Sequence, residues 1–286
     1  MIIIKRGTRI SPRQLQLEQI FSVERVLASR GFTVQKEGNG QDTLLDKSSW
    51  SQIEADLVFN IFDNATSRNE LLEYIEDKVE ESQLSEIVRN LIVTNGFKKD
   101  RQRFSTTYEW YVGELLVRRF MAFSSSYGVS ISDIRRNSDG GTSGDFDVIS
   151  ILGDMNLIYL ECKSGKTKQS SIKNTLERSI SLHCAASVVI RQGITEQGLK
   201  QQLSFMHPIF GYDAEILKLN IKNQPDSTIY KWFNCYFVDA SESSGDIETK
   251  LKAVLRIIEA SKSIINMSME PSDEQYESIG YGFSKL

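Results

Sequence analysis

Asp147, Glu161 and Lys163 are the residues whose types and spacing carry chemistry. Glu161 and Lys163 stand two apart in an apolar stretch that begins Leu157-Ile158-Tyr159-Leu160, so on a strand their side chains share a face. Asp147 belongs to a preceding run, Asp145-Phe146-Asp147-Val148-Ile149, separated from the second by Gly153-Asp154-Met155, a hairpin signal. A turn centred on Asp154 sets Asp147 directly across from Glu161. Two carboxylates opposed on one face repel each other, and without a cation one of them takes up a proton. A hard divalent ion relieves that repulsion, since Mg²⁺ is held by one or two carboxylates and keeps waters for its substrate. Lys163, on the same face, can orient or help deprotonate a metal-bound water and offset charge on a pentavalent phosphate. All of this depends on register. A two-residue Gly153-Asp154 turn instead pairs Asp147 with Leu160 and sends the acids to opposite faces.

The segments Gly144-Asp145-Phe146-Asp147-Val148-Ile149 and Tyr159-Leu160-Glu161-Cys162-Lys163-Ser164-Gly165 resemble the core of PD-(D/E)XK nucleases. These restriction-endonuclease-like enzymes include Holliday junction resolvases and nucleases of prokaryotic defence systems. The resemblance covers roughly residues 107–191, under a third of the chain, and Phe146 replaces the family's Pro. It implies that Asp147, Glu161 and Lys163 are catalytic, and that Asp147, Glu161 and the Cys162 backbone carbonyl hold Mg²⁺ or Mn²⁺. It also implies that Glu114, after Gly113 on an upstream helix, adds a further acid. The competing reading of Glu114 is an ion pair with Arg118 one helical turn on. Asp145 has the parity to replace Asp147 as ligand, or to cap the turn. Cys162 points to the opposite face.

Lys166, Lys168, Lys173 and Arg178 follow the strand of Glu161 and are candidates to contact the nucleic-acid backbone, Lys166 and Lys168 above all, with a solvated helix start nearly as good a reading of Lys173 and Arg178. Asp139-Gly140-Gly141-Thr142-Ser143-Gly144 is either a plain connection or a loop lying against phosphates. Ser164-Gly165-Lys166-Thr167 imitates the end of a P-loop, but that motif requires glycine where Leu160 stands.

Composition narrows the alternatives. Two histidines, His183 and His207, disfavour His-rich zinc sites and histidine-based nucleases, and three scattered cysteines form no CxxC pair or disulfide framework. The net charge of −4 restricts any nucleic-acid surface to a local patch. No apolar run approaches the ~20 residues that cross a bilayer, which reads as a soluble, cytoplasmic protein.

The elements that must position these residues follow from periodicity and charge. Between Asp63 and Glu86 eight acids face only Arg68 and Lys78; between Lys98 and Arg136 eight bases face four acids. The change falls at Asn95-Gly96, a helix stop. Residues 1–96 are therefore expected to form an accessory or dimerisation domain, residues 97–266 the nuclease-like domain, and residues 267–286 an irregular tail. The first part reads as a strand at residues 2–5, a helix at 11–29, a strand at 32–35 and an acidic helix at 67–94. The second reads as a helix at 105–123, strands at 131–136, 145–152 and 156–163, a helix at 170–182 and a strand at 185–191. Beyond these, a helix at 195–206, a strand at 232–239 and a helix at 247–264 are expected. The predicted fold class is α/β, a mixed central sheet flanked by helices with an N-terminal accessory region.

The expected function is a Mg²⁺-dependent nuclease acting on DNA in restriction, repair or mobile-element defence, as a homodimer or a subunit of a defence complex. The alternatives are an RNA-directed nuclease and a non-catalytic nucleic-acid-binding or assembly protein that keeps the fold.

Overall fold

A computed structural model describes residues 12–38, 52–63, 73, 101–132, 145–163, 169–204, 216–221, 224–240 and 244–269. The described chain is α/β, with helices on both faces of an eight-stranded mixed sheet. In chain order come α1 (Pro12–Ile20), α2 (Val23–Ser29), β1 (Val34–Lys36), α3 (Gln52–Phe62), α4 (Arg101–Phe120), β2 (Ser124–Ile131), β3 (Phe146–Ile151) and β4 (Leu157–Lys163). They are followed by α5 (Gln169–Ser181), β5 (Ala186–Arg191), α6 (Glu196–Leu203), β6 (Leu217–Ile221), β7 (Gln224–Trp232), β8 (Cys235–Asp239) and α7 (Ser244–Met269). Strand order is β1-β2-β3-β4-β5-β8-β7-β6. Pairs β4·β5 and β5·β8 are parallel, and the other pairs are antiparallel.

The expected succession of a helix, three strands, a helix and a further strand is present as α4, β2-β3-β4, α5 and β5. Strands β3 and β5 are buried along their whole length, as is β4 except at Lys163. Side chains alternate between two apolar layers. Val148, Leu160, Cys162 and Val188 pack beneath α3, α4 and α7, with Phe59, Tyr111, Leu115 and Val254. Ile149, Ile151, Leu157 and Tyr159 pack on the other face with Val26 and Leu27 of α2 and with Leu182 just after α5. Further along that face, Val189 and Phe237 pack against Ile172 and Leu176 of α5 and Leu199 of α6.

Helix α4 comes close to the sheet at Gly113, where a Cβ would stand 2.9 Å from Ser125 Oγ and 3.7 Å from Val148 Cγ1. The serines that the sheet buries are satisfied internally. Ser150 Oγ donates to the Ser124 carbonyl at 2.9 Å, and Ser124 Oγ donates to the Phe21 carbonyl.

Several expected elements are displaced. The predicted helix at 11–29 is two helices, because Ser22 breaks it and caps α2 by accepting a bond from the Arg25 N–H. The strand expected at 131–136 shares only Ile131 with β2, which starts seven residues earlier, and residues 133–136 lie outside the described residues. Its run Ser124-Ser125-Ser126-Tyr127-Gly128 looks like a loop by composition, and ladder pairing with the buried β3 overrides that propensity. The strand expected at 232–239 is two strands, turning at Phe233-Asn234 with Phe233 at φ 51°. Strand β6 and most of β7 were not expected; pairing of β7 with β8 begins only at Ile229.

The proposed seam at Asn95-Gly96, the strand at 2–5, the acidic helix at 67–94 and residues 270–286 lie outside the described residues. The described residues before 64 join the common architecture: β1 pairs with β2, and Phe59 and Phe62 share a core with Phe104 and Tyr111. Among the described residues no helix is long and apolar enough to cross a membrane.

Candidate active site

The β3–β4 hairpin determines the geometry. Its register pairs Val148 with Leu160, Ile149 with Tyr159, Ser150 with Ile158 and Ile151 with Leu157. The turn has three residues. Leu152 N–H donates to the Asn156 carbonyl, Met155 N–H returns to the Leu152 carbonyl, and Met155 takes the left-handed conformation at φ 64°. Asp154 Oδ1 accepts the Asn156 N–H at 3.1 Å, a local reason for aspartate in the turn. This is the odd-length turn on which the predicted site depended. The ladder ends at the Val148–Leu160 pair, and one residue beyond it Asp147 and Glu161 both reach Lys163.

Both carboxylates are buried, at 8% and 5% exposure, where β3 begins and β4 ends. Lys163 Nζ bridges them, 3.0 Å from Asp147 Oδ2 and 2.6 Å from Glu161 Oε1. Asp147 Oδ2 also accepts the Cys162 N–H at 2.8 Å, which ties one strand's carboxylate to the other strand's backbone. The Cys162 side chain lies in the opposite core, as expected.

Burial and then the charge of Glu161 push the Asp147 carboxyl up to about 7, against the lowering effect of Lys163 and the Cys162 N–H. Burial alone would lower the Lys163 ammonium, but Asp147 and Glu161 outweigh it and hold Lys163 above the usual lysine range. Lys163 is therefore a charged donor in this arrangement, suited to stabilising negative charge rather than to accepting a proton.

Tyr159, not singled out by the sequence, and Arg178, expected there as a phosphate contact or a solvated helix residue, complete the site. Tyr159, two before Glu161 and so on its face, donates its hydroxyl to Glu161 Oε2. Arg178 of α5 donates to the Tyr159 hydroxyl at 3.4 Å and to the Asp145 carbonyl at 3.2 Å, and lies 4.0 Å from Glu161 Oε2. Its guanidinium stacks over the Phe146 ring, 5.5 Å from the centroid. Arg178 thus belongs to the site rather than to a solvated helix start, while Lys173 is exposed and pairs with Glu177 at 3.6 Å. The parity of Tyr159 was legible beforehand. The approach of Arg178 was not, because it depends on how α5 crosses β4.

Glu114 is bonded within its own helix. It accepts from Arg118 Nε at 2.5 Å, and Arg118 Nη1 reaches Asp56 at 2.5 Å, a buried cluster where α3 meets α4. Glu114 thus forms the ion pair one turn along its own helix that was its competing reading. Asp145 lies just before β3, holding Arg178 through its backbone. Lys166, Lys168 and the glycine-rich loop at 139–144 lie outside the described residues.

Among the described residues no group of three or more His, Cys, Asp or Glu side chains stands together as a metal cage. Two hard carboxylates and a neighbouring backbone carbonyl fit the sparse protein ligation that Mg²⁺ accepts, and poorly fit zinc or a soft metal. Compared with known proteins, the chain matches no family model and no curated sequence.

Proposed function

We propose that this protein is a metal-dependent nuclease that hydrolyses phosphodiester bonds of DNA, with Asp147, Glu161 and Lys163 as its catalytic residues. One observation carries the reading: the hairpin register brings two buried carboxylates to one face with a charged lysine between them. Asp147, Glu161 and the Cys162 carbonyl would hold Mg²⁺ or Mn²⁺, which supplies Lewis acidity and lowers the pKa of bound water. Tyr159 and Arg178 keep the Glu161 carboxylate oriented. Lys163 donates to the phosphoryl oxygens and stabilises charge that builds up only in the transition state. An endonuclease of restriction, repair or mobile-element defence, acting as a homodimer or within a defence complex, remains the biological context we propose. Glu114, bonded to Arg118, is assigned no step.

A second reading, a non-catalytic nucleic-acid-binding module, draws on the closure of the network, since Lys163 bonds both acids itself. One experiment separates the two. Supercoiled, linear, single-stranded and branched DNA, and RNA, are incubated with wild type and Lys163→Ala in Mg²⁺, Mn²⁺ or EDTA. The nuclease reading expects metal-dependent cleavage of DNA that falls by roughly 10²-fold or more in the variant, with DNA binding in Ca²⁺ nearly unchanged. Absence of cleavage on every substrate, with binding weakened in the variant, favours the binding module.

A further inference from the structure

The carboxyl ends of three parallel strands, β4, β5 and β8, lie side by side beyond the carboxylate pair. The ladder pairs Lys163 with Arg191, and Arg191 with Asp239. Partners in a ladder share a face, so Arg191 is on the face of Glu161, one strand further along. Ligands of open α/β sheets bind outside the carboxyl ends of such strands.

Arg191 is only 5% exposed, and its buried Nε has no hydrogen-bond partner. Among the described residues its side chain enters no ion pair. Asp239, the nearest carboxylate along the ladder, turns Oδ1 toward the Gly193 N–H at 3.0 Å, where Gly193 takes φ 68°. Lys250, a second buried cation near this edge, is bound into the fold through the Asp239 carbonyl at 2.9 Å. Burial holds the Arg191 guanidinium below its ordinary range, with Asp239 opposing the shift. A desolvated cation without a bonded counter-charge is unfavourable until an anion completes it. A guanidinium is also the side chain best shaped to take two oxygens of a phosphate.

We propose that Arg191 is an oxyanion-binding residue that takes a backbone phosphate of a DNA strand lying along this edge, beside the phosphate that Lys163 faces. The identity of the ligand rests on the nuclease reading; the presence of an anion site does not.

The test uses the full chain in EDTA, with Arg191→Met and Arg191→Gln beside wild type. Thermal midpoints are measured in sodium phosphate and in sodium chloride at matched ionic strength, and affinity for labelled DNA and RNA by fluorescence anisotropy across a salt series. Phosphate should raise the wild-type midpoint and leave both variants unmoved. DNA binding should weaken roughly tenfold in both variants, with a log–log salt slope shallower by about one. In chloride the variants should melt no lower than wild type, because an unsatisfied buried cation has been removed.

Unchanged phosphate response and DNA affinity in the variants overturns the proposal. So does loss of fold in both, which would mark Arg191 as structural, and so does a loss confined to RNA. If DNA binds all three proteins equally while cleavage still depends on Lys163, this proposal fails and the nuclease reading stands. If the phosphate response vanishes in the variants but wild type binds no nucleic acid, the anion site stands and the nuclease reading fails.

Discussion

Asp147 is the residue whose environment most directly sets behaviour in solution. Its carboxyl titrates near 3.8 when solvated and at about 7 in the folded chain, so the folded state binds the proton more tightly. Stability in EDTA is therefore expected to be highest on the acid side of that window, and to fall as pH rises toward 7. Asp147→Asn removes the titration: it should melt above wild type at pH ~8, with the gap closing as the pH is lowered toward ~5. Thermal melts across that range check this, and a constant gap would show that Asp147 is ionised throughout. Metal binding reads the same residue from the other side. Isothermal titration with Mg²⁺ or Mn²⁺ should give a signal that Asp147→Ala abolishes. Glu114, by contrast, is bonded to Arg118 rather than to the carboxylate pair. Glu114→Gln should keep cleavage within a few-fold of wild type while lowering stability by about 1–2 kcal/mol, the cost of weakening a charged hydrogen bond. A large loss of cleavage at unchanged stability would return Glu114 to the site.

The element that matters most is the β3–β4 hairpin, and its weak point is Met155. A non-glycine residue at φ 64° is strained by roughly 1 kcal/mol, because Cβ crowds the following carbonyl. Met155 is 38% exposed, so little packing is lost with its side chain. Met155→Gly is therefore expected to stabilise the protein by up to about 1 kcal/mol, measured by urea denaturation, and to leave metal binding intact. Deleting Asp154 has the opposite consequence. A two-residue turn shifts the register by one, separates Asp147 from Glu161 across the sheet, and should abolish metal binding.

Across the molecule, the N-terminal helices and the strand pair that carries the site share cores. Leu27 of α2 is fully buried among Val129, Ile149 and Tyr159, three strands' worth of apolar surface. Phe59 of α3 packs at 5.2 Å against Tyr111 of α4. Leu27→Ala should cost about 3 kcal/mol through the cavity it leaves. Its unfolding followed by circular dichroism and by tryptophan fluorescence should give one coincident transition. Two separated transitions would mean that the N-terminal segments unfold as an independent unit.

Local chemistry was enough to locate the pair of runs that carry Asp147, Glu161 and Lys163, and the turn between them. The spacing of a strand has period two, and Asp154 favours a tight turn whatever surrounds it, so the shared face of Glu161 and Lys163 followed from covalent geometry. The α/β class followed as well, because a helix, three strands, a helix and a strand can bury their apolar faces in few ways. The turn length was left open by sequence and decided by the ladder, since only packing on both faces selects one register. Strand β2 was placed too late in the chain because serine and glycine have poor strand propensity in isolation, and pairing supplies what propensity lacks. Arg178, Arg191 and the partners of Glu114 were likewise matters of tertiary structure. Which charge meets which depends on how helices cross a sheet and which strands run parallel, and those relations join residues far apart in the chain.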